Sequence, residues 1–236
     1  MNARAWILLL ATLAFGIAPF VTPPFTGYDP SRFPVAIERP AIQPAGYAFA
    51  IWSVIYLWLI AHAVMGVWRR AGSAAWDAVR LPLTLGVGIG AVWLWIAGNS
   101  AVWGTVTIWM MAAGAILAFL RADTGVDHWM LSGPTAIFAG WLTAASAVST
   151  GVLLAGQGWL GNTAAALVML AAALALAAGV QGQKPRMPVY ALTVIWALAG
   201  VIVANAADNL AVTLAAGAGI AGLAVLLAVQ RRAGAG

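Results

Sequence analysis

The sequence contains no cysteine, so disulfides, thiolate metal sites and cysteine nucleophiles are excluded together. It also has little charge. Only 7% of its residues are Asp, Glu, Lys or Arg, against roughly 25% in a soluble domain, so water is not its main solvent. Histidine occurs twice, and no pair of carboxylates lies inside any apolar stretch. Ion-coupled transport and proton pumping, which depend on intramembrane ionisable groups, are therefore disfavoured. No Ser–His–Asp set can be assembled except from residues at opposite ends of the apolar segments, so binding is expected here rather than turnover. What the chain does have is 64% hydrophobic residues, 13 tryptophans and 26 glycines, with a mean hydropathy of +0.96. Its 236 residues would allow one or two soluble domains; the composition points to one membrane bundle instead.

A helix needs about 20 mostly apolar residues to cross the hydrocarbon core. On that basis the chain reads as all-α, a polytopic transmembrane bundle of about eight spans, near residues 4–22, 45–68, 81–98, 101–120, 129–154, 160–181, 187–206 and 210–230, with seven as the alternative. Turn chemistry separates them at Pro23-Pro24, Gly98-Asn99, Gly158, Lys184-Pro185 and Asp208-Asn209. Eight spans place Arg4, Arg69, Arg70, Arg80, Arg121, Lys184, Arg186, Arg231 and Arg232 on one side and only Arg32 and Arg39 on the other. That asymmetry follows the positive-inside rule with both termini cytoplasmic. The expected location is a bacterial inner membrane, with the lipid bilayer as first partner. The net charge of +5 is spread along one membrane face, so no nucleic acid is expected. The first segment has a basic start and an apolar run but no small-x-small cleavage site before Pro23, so it is read as a retained span.

The longest connector, residues 23–43, holds five prolines (Pro23, Pro24, Pro30, Pro34 and Pro40). Proline fixes φ and lowers the entropy of ordering a loop. Such a connector either caps the bundle or is a solvated link. Two glycine patterns carry little. Gly217-Ala-Gly219-Ile-Ala-Gly222 fits GxGxxG but lies inside an apolar span, without the βαβ unit that pattern needs. Gly86, Gly88 and Gly90 read as a close-packing helix face. His62, mid-span, is expected to bond a neighbouring helix.

Aromatic residues are unevenly distributed: twelve of the thirteen tryptophans lie at or before Trp159, and only Trp196 follows. The last three spans are rich in Ala and Gly and read as packing scaffold. At about 100° per residue, Phe49, Trp52 and Tyr56 share one face of the second span, with Tyr47 opposite. Trp93, Trp109 and Trp141 add rings from the third, fourth and fifth spans. Trp6, Trp68, Trp129 and Trp159, near span ends, suit the membrane interface. A mid-membrane group of rings on several helices either packs or lines a pocket for a flat ligand.

The residues also resemble a known family. The stretch from Ile42 to Tyr56, I-Q-P-A-G-Y-A-F-A-I-W-S-V-I-Y, is similar to the W-x-P-P-x-W-V-F-x-x-V-W-x-x-L-Y motif of the TspO/MBR family, the tryptophan-rich sensory proteins related to the mitochondrial translocator protein. Pro44, Phe49, Trp52 and Tyr56 match, and Tyr47 stands at the second Trp. Ile42 and Ala45 depart from the motif. Trp93 resembles the Trp of the family's N-x-x-W, with Gly90 at the Asn position, and Trp109 resembles a fourth-span Trp. Pro134 and Trp141 resemble fifth-span residues of the longer bacterial branch. The resemblance covers about residues 1–155, a five-helix core, leaving 156–236 as three additional helices. It implies a pocket for porphyrins and other planar hydrophobic molecules, with Pro44, Tyr47, Phe49, Trp52, Tyr56, Trp93, Trp109 and Trp141 as ligand-binding residues. No cofactor is required, and a tetrapyrrole is the implied ligand, in a sensory or carrier role. A membrane permease, and an accessory or structural subunit of a larger membrane complex, are the alternatives; homodimer and larger assembly both stay open.

Overall fold

In lipid every backbone N–H and C=O must be satisfied within the protein, and a chain of long apolar runs does so by forming helices. The computed structural model describes residues 2–23 and 25–233; Pro24, half of the first expected break, lies outside them. Eight α-helices occur among the described residues: α1 (Ala3–Val21), α2 (Ile51–Trp68), α3 (Ala74–Asn99), α4 (Ala101–Arg121), α5 (His128–Gly156), α6 (Asn162–Gln183), α7 (Val189–Asn205) and α8 (Leu210–Ala233). A 3-10 turn over Gly46–Ala50 leads into α2. Seven segments are long and apolar enough to cross a membrane, that turn plus α2 counting as one, and α7, at 17 residues, is shorter. The chain is a multi-pass helical membrane protein.

Local chemistry sets the ends. The Asn2 side chain accepts from the Arg4 N–H at 3.1 Å and starts α1. Ser100 alone separates α3 from α4: its N–H closes α3 on the Ile96 carbonyl, and its Oγ accepts from the Trp103 N–H. α3 begins at Ala74, two turns before the expected position, because Arg80 is not a surface charge. Its guanidinium is buried and donates to the carbonyls of Gly66, Arg70 and Ala71 and to Asp77. It thereby satisfies carbonyls that the end of α2 leaves without helical donors.

The helices fall into two compact units. The first comprises Met1–Thr26 and Ile51–Leu142: α1 to α4 and the leading half of α5. Within it α3 and α4 pack closely where Gly114 faces Gly86; a Cβ on Gly114 would lie 2.8 Å from the Pro82 carbonyl oxygen and 2.9 Å from the Gly86 nitrogen. Gly86 and Gly90 both pack, whereas Gly88 faces open space. The second comprises Gly27–Ala50 and Thr143–Gly236. In it Gln181, fully buried, ties the α6–α7 turn by donating to the Lys184 carbonyl and accepting from the Ala191 N–H, and pairs with Gln230 of α8.

Candidate functional site

The expected site residues divide between the two units. In the first, Trp52 and Tyr56 lie one helical turn apart on α2 and stack nearly parallel, with centroids 5.3 Å apart and planes at 19°. Phe15 of α1 meets Trp52 edge-on at 5.9 Å and Tyr56 at 4.9 Å. From α5, Trp141 meets Trp52 edge-on at 6.0 Å, and Phe138 lies 5.6 Å from Phe15. Three helices thus converge on one aromatic cluster, in the stacked and T-shaped geometries that ring quadrupoles favour. Trp141 and Phe138 are buried, while Trp52 and Tyr56 are half-buried.

Trp93 is engaged differently. Its Nε1–H donates to the Gly104 carbonyl at 2.9 Å, and its ring meets Phe25 edge-on at 5.2 Å. Trp109 is half-buried midway along α4. The cluster centre, Phe15, is a residue that sequence reasoning missed, since a phenylalanine in an apolar span breaks no pattern. A second signal was legible: Gly90 stands where the resembling motif has Asn, and a Cβ there would lie 2.6 Å from the Phe15 ring.

At one end of the same unit the polar groups form a linked set. His62 is buried, donates from Nδ1 to the Met130 carbonyl at 2.8 Å and stacks on Trp76 at 4.6 Å. It bonds a neighbouring helix, as expected. Trp76 Nε1–H donates to Asp127 Oδ2 at 2.9 Å, and Arg70 grips both Asp127 oxygens at 2.6 and 2.8 Å. The Arg70 guanidinium holds the Asp127 carboxyl below the usual carboxylate range, against the opposing effect of burial. No group of three metal-ligating side chains occurs among the described residues.

In the second unit, Pro44 is buried, while Tyr47 and Phe49 are 46% and 40% exposed. The segment carrying them is bonded to α7: the Ala45 N–H donates to the Gly200 carbonyl at 2.9 Å, and Trp196 Nε1–H donates to the Ala48 carbonyl at 2.9 Å. The Tyr47 ring meets Trp196 edge-on at 5.5 Å. Trp196 was set aside by sequence reasoning with its Ala/Gly-rich surroundings, although its isolation among the late residues was a signal. Earlier in the connector, the Tyr28 hydroxyl and Ser149 Oγ are 2.6 Å apart, and Asn162 Oδ1 accepts from the Ala41 N–H at 2.8 Å. A small cavity of about 30 Å³ lies against Ile42 and Pro44, closed by Ala147, Leu170, Ala197 and Val201 among other apolar side chains. It has room for little more than a water and offers nothing to bond one.

Comparison with known proteins gives one match. A family model described as TSPO-like protein matches residues 5–229, running through α6, α7 and α8 and past residue 155. No curated protein matches the chain, and no solved structure does.

Proposed function

Because the chain belongs to the TSPO-like protein family, we propose that it binds a planar hydrophobic molecule, a tetrapyrrole first, against the Trp52–Tyr56–Trp141 cluster, in a sensory or carrier role. The observation that carries this reading is the near-parallel Trp52–Tyr56 pair with Phe15 and Trp141 set edge-on around it. Aromatic pairs contribute roughly 0.5–1.5 kcal/mol each beyond the area they bury. The cluster side chains carry no formal charge, so recognition rests on stacking and shape rather than on ion pairing with ligand carboxylates. Trp93 and Trp109 in the same unit, and Pro44, Tyr47 and Phe49 in the second, are the further ligand-binding candidates.

The test is a titration of the purified protein with deuteroporphyrin, followed by tryptophan quenching. Saturable quenching is expected, with Kd raised at least about tenfold in Trp52→Ala/Tyr56→Ala, equivalent to the loss of about 1.4 kcal/mol. Saturable binding unchanged in that variant removes the site. Ligand flux in proteoliposomes would favour the permease reading instead, and a stoichiometric membrane partner without ligand binding would favour the accessory role.

A further inference from the structure

The connector segment that leads into α2 is held from outside as well as by its own turn. Ahead of the 3-10 turn over Gly46–Ala50 the Gln43 N–H donates to the Pro40 carbonyl, and at its start the Ala48 N–H donates to the Ala45 carbonyl, each at 2.9 Å. Several fixed points come from α7. Gly200 accepts from Ala45, Trp196 donates to Ala48, and Asn205 Nδ2 donates to the Ala41 carbonyl at 2.8 Å. Contact is as close as bonding: a Cβ on Gly200 would lie 2.8 Å from Pro44 Cβ and 2.9 Å from Ala48 Cβ. Ala48 is fully buried, so its carbonyl has no access to water, and the Trp196 indole supplies the donor it needs.

We propose that Trp196 is a positioning residue, which fixes the turn carrying Pro44, Tyr47 and Phe49 to α7 through the Ala48 carbonyl. α7 is then a clamp for the connector and not only scaffold. The binding role of Pro44, Tyr47 and Phe49 rests on the reading given above; the clamp itself does not. Trp196→Phe keeps an aromatic ring for Tyr47 and removes the N–H together with part of the indole. Gly200→Ala separates the same surfaces by a different route, inserting a methyl where Pro44 and Ala48 touch α7.

Amide hydrogen exchange of the purified full chain, read by mass spectrometry, tests this in both variants alongside a Trp159→Phe control. Exchange over residues 41–50 is expected to rise about tenfold in each, the effect of losing one buried hydrogen bond, while α6 and α8 exchange at the parent rate. A generally destabilised protein would speed all segments alike. Unchanged exchange over 41–50 in both variants, or a rise spread evenly over the chain, overturns the proposal. Porphyrin titration of the same samples separates the two readings: faster local exchange with no porphyrin binding by the parent protein leaves the clamp standing and removes the binding function.

Discussion

Gly90 lies against the Phe15 ring so closely that a Cβ there would sit 2.6 Å from Cε2 and 2.7 Å from Cδ2. The Phe15 ring, in contact with Trp52, Tyr56 and Phe138, has little room to retreat. Gly90→Ala is therefore expected to destabilise the protein by about 1–3 kcal/mol through overpacking, offset in part by the better helix propensity of Ala, about 1 kcal/mol. In a Phe15→Leu background the same substitution should cost less, leaving a coupling energy of at least about 0.5 kcal/mol in a double-mutant cycle. Additive effects in thermal unfolding would show that the two side chains do not constrain each other.

Gly114 makes a stricter demand, because the atoms facing it are backbone. Pro82 O and Gly86 N cannot rotate away as a side chain would. Gly114→Ala should separate α3 from α4 and cost roughly 2 kcal/mol or more. Gly88→Ala, pointing into open space, should be neutral or stabilising by up to about 1 kcal/mol. Melting temperatures of the two variants in one detergent compare these effects directly.

These two glycines mark what a sequence can disclose. The spans were legible because hydropathy is a property of each segment alone, and α4, α6 and α8 lie within a few residues of their expected positions. Gly86 and Gly90 were legible as small residues on a helix face, but Gly88 belongs to the same pattern and a Cβ on it would meet no neighbour within 4 Å. Which glycine is packed depends on the neighbouring helix, and that is tertiary information. The start of α3 was missed for a similar reason. Trp76, Asp77 and Arg80 read as connector chemistry until Arg80 is seen to be buried on the carbonyls of the preceding turn. Trp52, Tyr56 and Trp141 were found through a motif and do meet. Phe15 carries no local mark, and Trp196 only its isolation among the late residues, since each meets a partner distant in sequence.

Asp127 adopts φ +45°, a conformation that Asp and Asn tolerate better than most residues, and its carboxylate joins Arg70 to Trp76. Its pKa is lowered in the folded protein, chiefly by the Arg70 hydrogen bond. The stabilisation is thus present above the unfolded value of about 3.9 and is lost as pH falls through the lower folded value. Asp127→Asn keeps the backbone preference and removes the charge. The variant should melt below the parent by a constant interval from neutral pH to about pH 5, and the interval should narrow below about pH 4. An interval independent of pH would mean that the ion pair contributes nothing to the difference.

The absence of cysteine makes membrane orientation directly measurable. We propose that the connector bearing Ser31 faces away from the cytoplasm, because Arg32 and Arg39 are the only basic residues on that side of an eight-span arrangement. Ser31 and Val126, on different connectors, are both exposed. In intact cells a membrane-impermeant maleimide should label Ser31→Cys and spare Val126→Cys until the membrane is opened. If α7, with 17 residues, crosses as the other helices do, Arg231→Cys should behave like Val126→Cys. Were α7 not to cross, the chain after it would be inverted, and Arg231→Cys would be labelled together with Ser31→Cys. The three positions thus separate eight spans from seven as well as fixing which way the connector faces.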